Sequence, residues 1–407
     1  MGSIPRFRRS LSYEAKVLAQ HSGNFSADNF LPSPFASQVL PPRLALTALT
    51  KITLKTKPPS PSDMNRKVLP LPFSPAPAPD LDKPHIPYTV GQTFTVRRHI
   101  PPPPFLKPYP NPRPPFPDNL QKLTQLEYCL SWHPLEGSTC DDDTFSFIIA
   151  KELRVCDGGG AQIVVTNGNL VAKIYDPLYY PAYEDSSYRD DVIMQADFDY
   201  SREAAAYNEL RGPFEGTIIP KYYGSWTFDI TVNTPSGPRK RPVRLILMEF
   251  VDGVCMQDLD ANEFTEEERS NIMVKAIDAE RAIAFRGVHH RDFAPRNVLC
   301  SGNNLRSTDL RVTIIDFNVS VVTRLAYSRT PSDFAQLPTS PIKRWQRCPL
   351  GFEGWVSSEP DKRKAWLWKH WAGSPLYRPI EESCVGGLSL TLAQSTTEPC
   401  IRALSGV

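Results

Sequence analysis

The sequence predicts an α+β fold: a small antiparallel-sheet lobe, then a reduced helical lobe, with a polar crevice between them and a proline-rich region in front. Three observations predict it. Of 42 prolines, 25 fall before residue 120, in stretches such as PLPFSPAPAPD and IPPPPFLKPYPNPRPPFPD. From about residue 121 the pattern changes to apolar runs of strand type, interrupted by one Ala-rich segment of helical type. A long segment of helical period then leads into GVHHRDFAPRNVLC, residues 287–300, and into one more apolar run that ends in Asp316.

Proline removes a backbone donor and disfavours helix in the residue before it. Residues 1–120 are therefore expected to be extended or disordered, as a spacer or as a source of proline motifs for a proline-reading partner. The folded domain is expected over 121–380, with the sheet lobe over about 121–252, the helical lobe over about 253–380, and a flexible tail over 381–407. The chain has 407 residues, 41% of them hydrophobic, and a formal net charge of +2. That near balance makes no case for a nucleic-acid partner. The eight cysteines include no CxxC pair, so neither a zinc ribbon nor a redox motif is indicated and free thiols are expected. No apolar run has the length of a membrane span and no signal-peptide core is present, so no membrane association is expected. Cytoplasm or nucleus is the default compartment. Arg6, Arg8, Arg9 and Lys16 leave mitochondrial import as a weaker alternative.

FSFIIAKELRV reads as a strand. AQIVVTNGNLVAKIY reads as two strands joined by Asn167-Gly168, a two-residue hairpin signal. DYSREAAAYNELRG reads as a helix with Ser201 as its cap and Gly212 at its end. IIPKYYGSWTF and RPVRLILMEFV give two further strands, with TVNTPSGPRKR between them as a polar loop. TEEERSNIMVKAIDAERAIAFRG is a long helix with acids in its first turn, Gly287 at its end and an apolar stripe through Ile272, Ala276, Ile277 and Ile283. LRVTIIDF is a short buried strand. Near the end, SEPDKRKAWLWKHW reads as a helix capped by Ser358.

The polar residues in this frame suggest a chemistry. A carboxylate at the end of a buried strand, Asp316, is well fixed to serve as a metal ligand. Asn297 supplies a second oxygen, and hard cations such as Mg²⁺ prefer oxygen ligands, taking one or two carboxylates plus phosphates. Asp292, with Pro295 stiffening the loop that follows it, could accept a proton from an attacking hydroxyl. Lys173 sits among Leu170, Val171, Ala172 and Ile174, where an ammonium is costly unless anions meet it. Glu203 is the natural carboxylate partner, with Glu209 on the same helix as its rival. Gly158, Gly159 and Gly160 form a run in which backbone amides can approach a phosphate with no Cβ in the way.

Together, HRDFAPRN, VAK, LMEFVDG and IIDF resemble the protein-kinase-like superfamily in motif order and spacing. AKIYDPLYY, EAAAYNEL, IPKYYGSW and HRDFAPRNVL also make the chain similar to a group of fungal kinase-like proteins with a shortened C-terminal lobe. The resemblance covers roughly residues 145–320. It implies a bilobal kinase-like fold and an ATP-dependent phosphotransferase acting on a protein or small-molecule hydroxyl. Asp292 would orient or deprotonate the acceptor, and Asn297 and Asp316 would hold Mg²⁺. Lys173 would bind the nucleotide phosphates, positioned by Glu203. Met248 would stand at the gatekeeper position, with the backbone of Glu249 and Val251 at the adenine edge. His289 and His290 would be structural.

The sequence also departs from that pattern. Ile163 stands where a third glycine is usual, and the DFG motif reads Asp316-Phe317-Asn318. Ala294 stands where Ser/Thr kinases commonly carry Lys. After Asp316 only 91 residues remain, without an Ala-Pro-Glu motif, and they hold five of the seven tryptophans. These aromatics are expected to cover a shortened helical lobe, with a ligand platform as the rival. SRTPSD, 328–333, offers phosphosites at Ser328 and Thr330 for Arg291 to meet. The departures keep open a pseudokinase acting as a binding or scaffold module.

Overall fold

The computed structural model describes residues 80–112, 114–115, 118–182, 190–327, 337–346 and 351–380. The basic run from Arg6 to Lys16, the phosphosites Ser328 and Thr330 and the 381–407 tail lie outside them. The described residues all belong to one unit, Leu71–Val407. They form a mixed α+β structure built on a six-stranded antiparallel sheet that closes into a barrel.

The barrel strands are β1 (Thr93–Ile100), β2 (Ser138–Arg154), β3 (Gln162–Thr166), β4 (Leu170–Tyr175), β5 (Tyr222–Thr234) and β6 (Gly237–Glu249). They neighbour one another in the order β1-β2-β3-β4-β6-β5, and β1 closes the ring by pairing with both β2 and β5. The sheet thus begins well before residue 121, inside the segment whose prolines suggest extended chain. TFTVRRHI contains no proline and is rich in β-branched residues, so it can pair like any strand; the prolines on either side mask it. Two connections also differ from expectation. The β3–β4 turn uses three residues, and the left-handed position falls on Asn169 (φ +55°) rather than Gly168, as suits a three-residue hairpin. TVNTPSGPRKR is not a loop: the β5–β6 ladder continues out to Thr234 opposite Gly237, whose φ of +113° lets the hairpin turn tightly.

The helices are α1 (Gln125–Ser131), α2 (Val192–Leu210), α3 (Glu266–Phe285), α4 (Thr323–Tyr327), α5 (Pro341–Arg344) and α6 (Pro360–Trp371). α2 starts earlier than its Ala-rich centre suggests. Asp191 caps it by accepting the Met194 N–H at 2.9 Å, which leaves Ser201 in mid-helix. α3 runs from a Thr265–Glu268 capping box to Gly287 at φ +95°, the end expected of it. Ser358 does not cap α6; Glu359 precedes the helix, and Arg363 gathers the carbonyls of Ser357 and Ser358 at 2.8 and 3.0 Å.

Five short strands complete the fold: β7 (Val254–Cys255), β8 (Val288–His289), β9 (Val298–Ser301), β10 (Arg311–Ile314) and β11 (Val321–Val322). They pair as β10-β9-β7 and as β11-β8. One apolar cluster fills the barrel and its contact with α2. A second joins Ile272, Met273, Ala276 and Ile277 of α3 to Trp345, Phe352, Trp355 and Trp371, so the late tryptophans do cover α3. Phe293, from the loop after β8, packs against both clusters. The described cysteines, 129, 140, 156, 255 and 300, are free thiols. No helix among the described residues is long and apolar enough to cross a membrane.

Candidate functional site

Lys173 is 4% exposed on β4, which lies between β3 and β6. Its ammonium is 2.5 Å from Glu203 Oε2 on α2 and 2.5 Å from Asp316 Oδ1, just past β10. Glu203 is fully buried; it also accepts the Tyr175 hydroxyl at 2.7 Å and the Phe317 N–H at 3.4 Å. The choice between the two glutamates is decided by helix geometry. Six residues further on, Glu209 lies about a third of a turn round the helix, where it pairs with Arg324 at 3.0 Å. Burial pulls the Lys173 ammonium pKa down, but the charges of Asp316 and Glu203 outweigh it and raise it. Burial would raise Asp316, yet the Lys173 charge holds it below the usual carboxylate range. Glu203 is raised by burial, with Asp316 adding to the rise. One ammonium between two carboxylates leaves the cluster a net negative charge, so the most enclosed carboxylate bears the strain.

The loop from β8 to β9 is held on several sides. β8 pairs with β11, fixing its entry to the chain just beyond Asp316. His290 Nε2 donates to the Ile315 carbonyl at 2.9 Å, its ring lies 4.8 Å from that of Phe317, and its carbonyl accepts the Ser320 hydroxyl at 3.2 Å. Burial lowers its pKa, so the imidazole is a neutral structural strut. Asn297 is buried, and its Nδ2 donates to the Asp292 carbonyl at 2.8 Å and to Asp292 Oδ2 at 2.9 Å. The other carboxylate oxygen of Asp292 is paired with the Arg296 guanidinium. The Asn297 carbonyl accepts the Ile315 N–H at 3.0 Å, which brings Asn297 to the end of β10 that carries Asp316. Asp316 itself has φ +66°, a conformation that persists in a non-glycine residue only where the surroundings fix it.

Gly158, Gly159 and Gly160 lie in the β2–β3 loop, next to the strand position that pairs with Lys173. Gly158 ties the run to the β4–α2 connection. Gly158 N–H donates to the Tyr179 carbonyl at 3.0 Å and Gly159 N–H to the Cys156 carbonyl at 3.4 Å. The fully buried side chain of Gln162 closes the loop, accepting the Cys156 N–H at 2.8 Å and donating to the Cys156 and Gly160 carbonyls at 2.9 Å each. Two of the three glycine amides expected to meet phosphate are thus already bonded. Met248 and Glu249 end β6, where Val171 pairs with Met248, and Val251 follows just beyond the strand. Met248 is buried and receives the Tyr207 hydroxyl at 3.6 Å. The Glu249 N–H already donates to the Lys221 carbonyl at 2.8 Å, and its carboxylate pairs with Arg311 at 3.1 Å.

Sequence patterning missed three members of the site. Tyr175 is two residues from Lys173 on the same strand face, a period-2 signal. Asp199 is one helical turn before Glu203; burial pushes its carboxyl up to about 7, and Tyr180 donates to it at 3.1 Å. Arg296 covers Asp292 four residues before it, an i,i+4 pair formed in a loop and not on a helix. Among the described residues no group of three or more His, Cys, Asp and Glu side chains could hold a metal ion. Asn297 Oδ1 and Asp316 Oδ2 accept no hydrogen bond among them. An amide and a carboxylate oxygen at one hairpin end fit a cation that shares phosphate oxygens with them, and do not fit an all-protein cage.

No protein-family model matches the chain, and no curated protein matches it.

Proposed function

We propose that this chain has a protein-kinase-like bilobal fold and is an ATP-dependent phosphotransferase with a hydroxyl acceptor. The observation that carries the proposal is the joining of Lys173 to Glu203 and Asp316 at 2.5 Å each, beside the Asn297–Asp292 pair. These residues come from β4, α2, the β8–β9 loop and the end of β10, so only the folded chain assembles them. Lys173 would engage nucleotide phosphates by exchanging its bond to Asp316 for them while Glu203 keeps it in place. Asn297 and Asp316 would hold Mg²⁺, which when bound neutralises charge on the transferred phosphoryl group. Asp292 would orient the acceptor hydroxyl and take its proton, with Arg296 turned aside. Positioning and charge neutralisation would supply most of the rate enhancement.

A specific observation favours a second function, a nucleotide-responsive or nucleotide-free binding module: the Gly158 and Gly159 amides are internally bonded, and Asp292 is engaged by Arg296. The test is a thermal-shift titration of the full chain with ATP, with and without Mg²⁺, in wild type and Asp316→Asn. Ligand at 100 times its Kd stabilises a fold by about 2.7 kcal/mol, which a melt detects. A Mg²⁺-dependent shift lost in Asp316→Asn is expected; no shift with any nucleotide overturns the nucleotide site. Phosphoryl transfer abolished by Asp292→Asn would then separate the enzyme from the binding module.

A further inference from the structure

After β1 the chain stays on the fold. Residues 101–112 form a turn closed by Asn111, whose Nδ2 donates to the Pro104 carbonyl at 2.7 Å and whose carbonyl accepts the Leu106 N–H at 3.1 Å. We propose that this segment is a built-in clamp between α2 and the chain that follows Asp316, with Arg202 and Tyr109 as positioning residues for the Lys173–Glu203–Asp316 cluster; its consequence for ligand binding rests on the nucleotide site proposed above.

Arg202, the residue before Glu203, is 3% exposed. Its Nη2 donates to three successive carbonyls of the segment, Phe105 at 3.0 Å, Leu106 at 3.3 Å and Lys107 at 3.2 Å. Its guanidinium lies 3.7 Å from the ring centre of Phe198 and 4.9 Å from that of Tyr109. Among the described residues no carboxylate shares those hydrogen bonds. A buried cation held only by carbonyls and ring faces adds little net stability, but it fixes one geometry, because every alternative strands the charge.

Tyr109 carries the connection across. It is buried, and its hydroxyl accepts the Val322 N–H at 2.9 Å and points its hydrogen at the Ser320 carbonyl at 3.4 Å. Ser320 and Val322 follow Asp316 closely, and Val322 lies on β11, whose partner β8 leads into the Asp292 loop. α2 and the Asp316 chain are therefore joined directly, where Glu203 accepts the Phe317 N–H at 3.4 Å and Glu209 pairs with Arg324 at 3.0 Å, and again through Arg202, the segment and Tyr109. A closed circuit of this kind restrains the left-handed Asp316 between two fixed points.

The test uses Tyr109→Phe in the full chain, which removes the hydroxyl and keeps the ring. Hydrogen–deuterium exchange without nucleotide is expected to accelerate over 317–322 and along the Phe198–Glu203 turn of α2. The expected change is about tenfold, the scale of removing the acceptor of a buried N–H. Faster exchange confined to 101–112, or no change, overturns the clamp. The second arm is the Kd of Mg·ATP well below the melting temperature, expected to weaken several-fold as the competent geometry loses population. Loosened exchange with an unchanged Kd would make the contact purely structural and overturn the positioning role. If wild type binds no nucleotide, the nucleotide site fails, and the exchange arm alone still decides the clamp.

Discussion

Replacing Lys173 with Met keeps the length of an apolar strand residue and removes the one cation between Glu203 and Asp316. The cluster then passes from a net charge of −1 to −2, with Glu203 fully buried and only the Tyr175 hydroxyl and the Phe317 N–H left to it. Removing one partner of a buried pair costs about 3–5 kcal/mol. At roughly 2–4 °C per kcal/mol for a domain of this order of size, the melting temperature should fall by on the order of 10 °C. The deficit should depend on pH. The folded-state pKa of Glu203 is already raised by burial, and losing the ammonium raises it further. Between the unfolded and folded pKa values the folded state then binds more protons, so stability falls as pH rises through that window, and the loss is complete above it. Urea unfolding at pH 5, 6.5 and 8 checks this, with the largest deficit expected at pH 8. Lys173→Met/Glu203→Gln should regain more than half of it. A single-variant loss under about 1 kcal/mol, or one that does not change with pH, would refute the idea that buried charge balance governs this site.

Three other outcomes are expected. Asp199→Asn should stabilise the chain at pH 8, by on the order of 2 kcal/mol after allowing for its partial exposure. Burial pushes that carboxyl up to about 7, so its cost grows as pH rises from the unfolded value near 4 toward 7 and disappears below it; a stability–pH curve that does not flatten in the variant would sink this assignment. Phe352→Ala removes a fully buried ring 5.2 Å from Phe293 and 5.5 Å from Trp345. It should cost about 3–5 kcal/mol in urea unfolding and loosen the loop that carries Asp292. A chain starting at residue 121 loses β1 and opens the barrel between β2 and β5; it should give no cooperative melt where the full chain does.

What could be seen in the sequence was what local pattern and motif encode. The stripe through Ile272, Ala276 and Ile277 is wholly buried, and the Gly287 stop falls where the pattern puts it. Lys173, Glu203 and Asp316 meet because a lysine in an apolar strand has few ways to be satisfied. Long-range pairing was not visible. β1 has an ordinary strand composition, but its partners are remote in sequence and its neighbours are prolines. The glycine run reads in the sequence as an approach to phosphate; that the Gly158 and Gly159 amides are bonded to the Tyr179 and Cys156 carbonyls was not visible there. Arg202 looks like a surface residue of a helix. Only the return of residues 101–112 onto α2 makes it a buried one.

Closure of the barrel by β1 also sets an order of events during synthesis. Arg97 pairs with Thr227, about 130 residues later in the chain. At roughly 5–20 residues per second, β1 would emerge several seconds before the strand that seals it exists. During that interval its outer edge offers unpaired backbone groups to any neighbouring chain. Loop closure over such a distance is slow compared with hairpins such as β5–β6. Sealing of the ring thus waits on a long-range pairing, while the β5–β6 hairpin needs only its own neighbours.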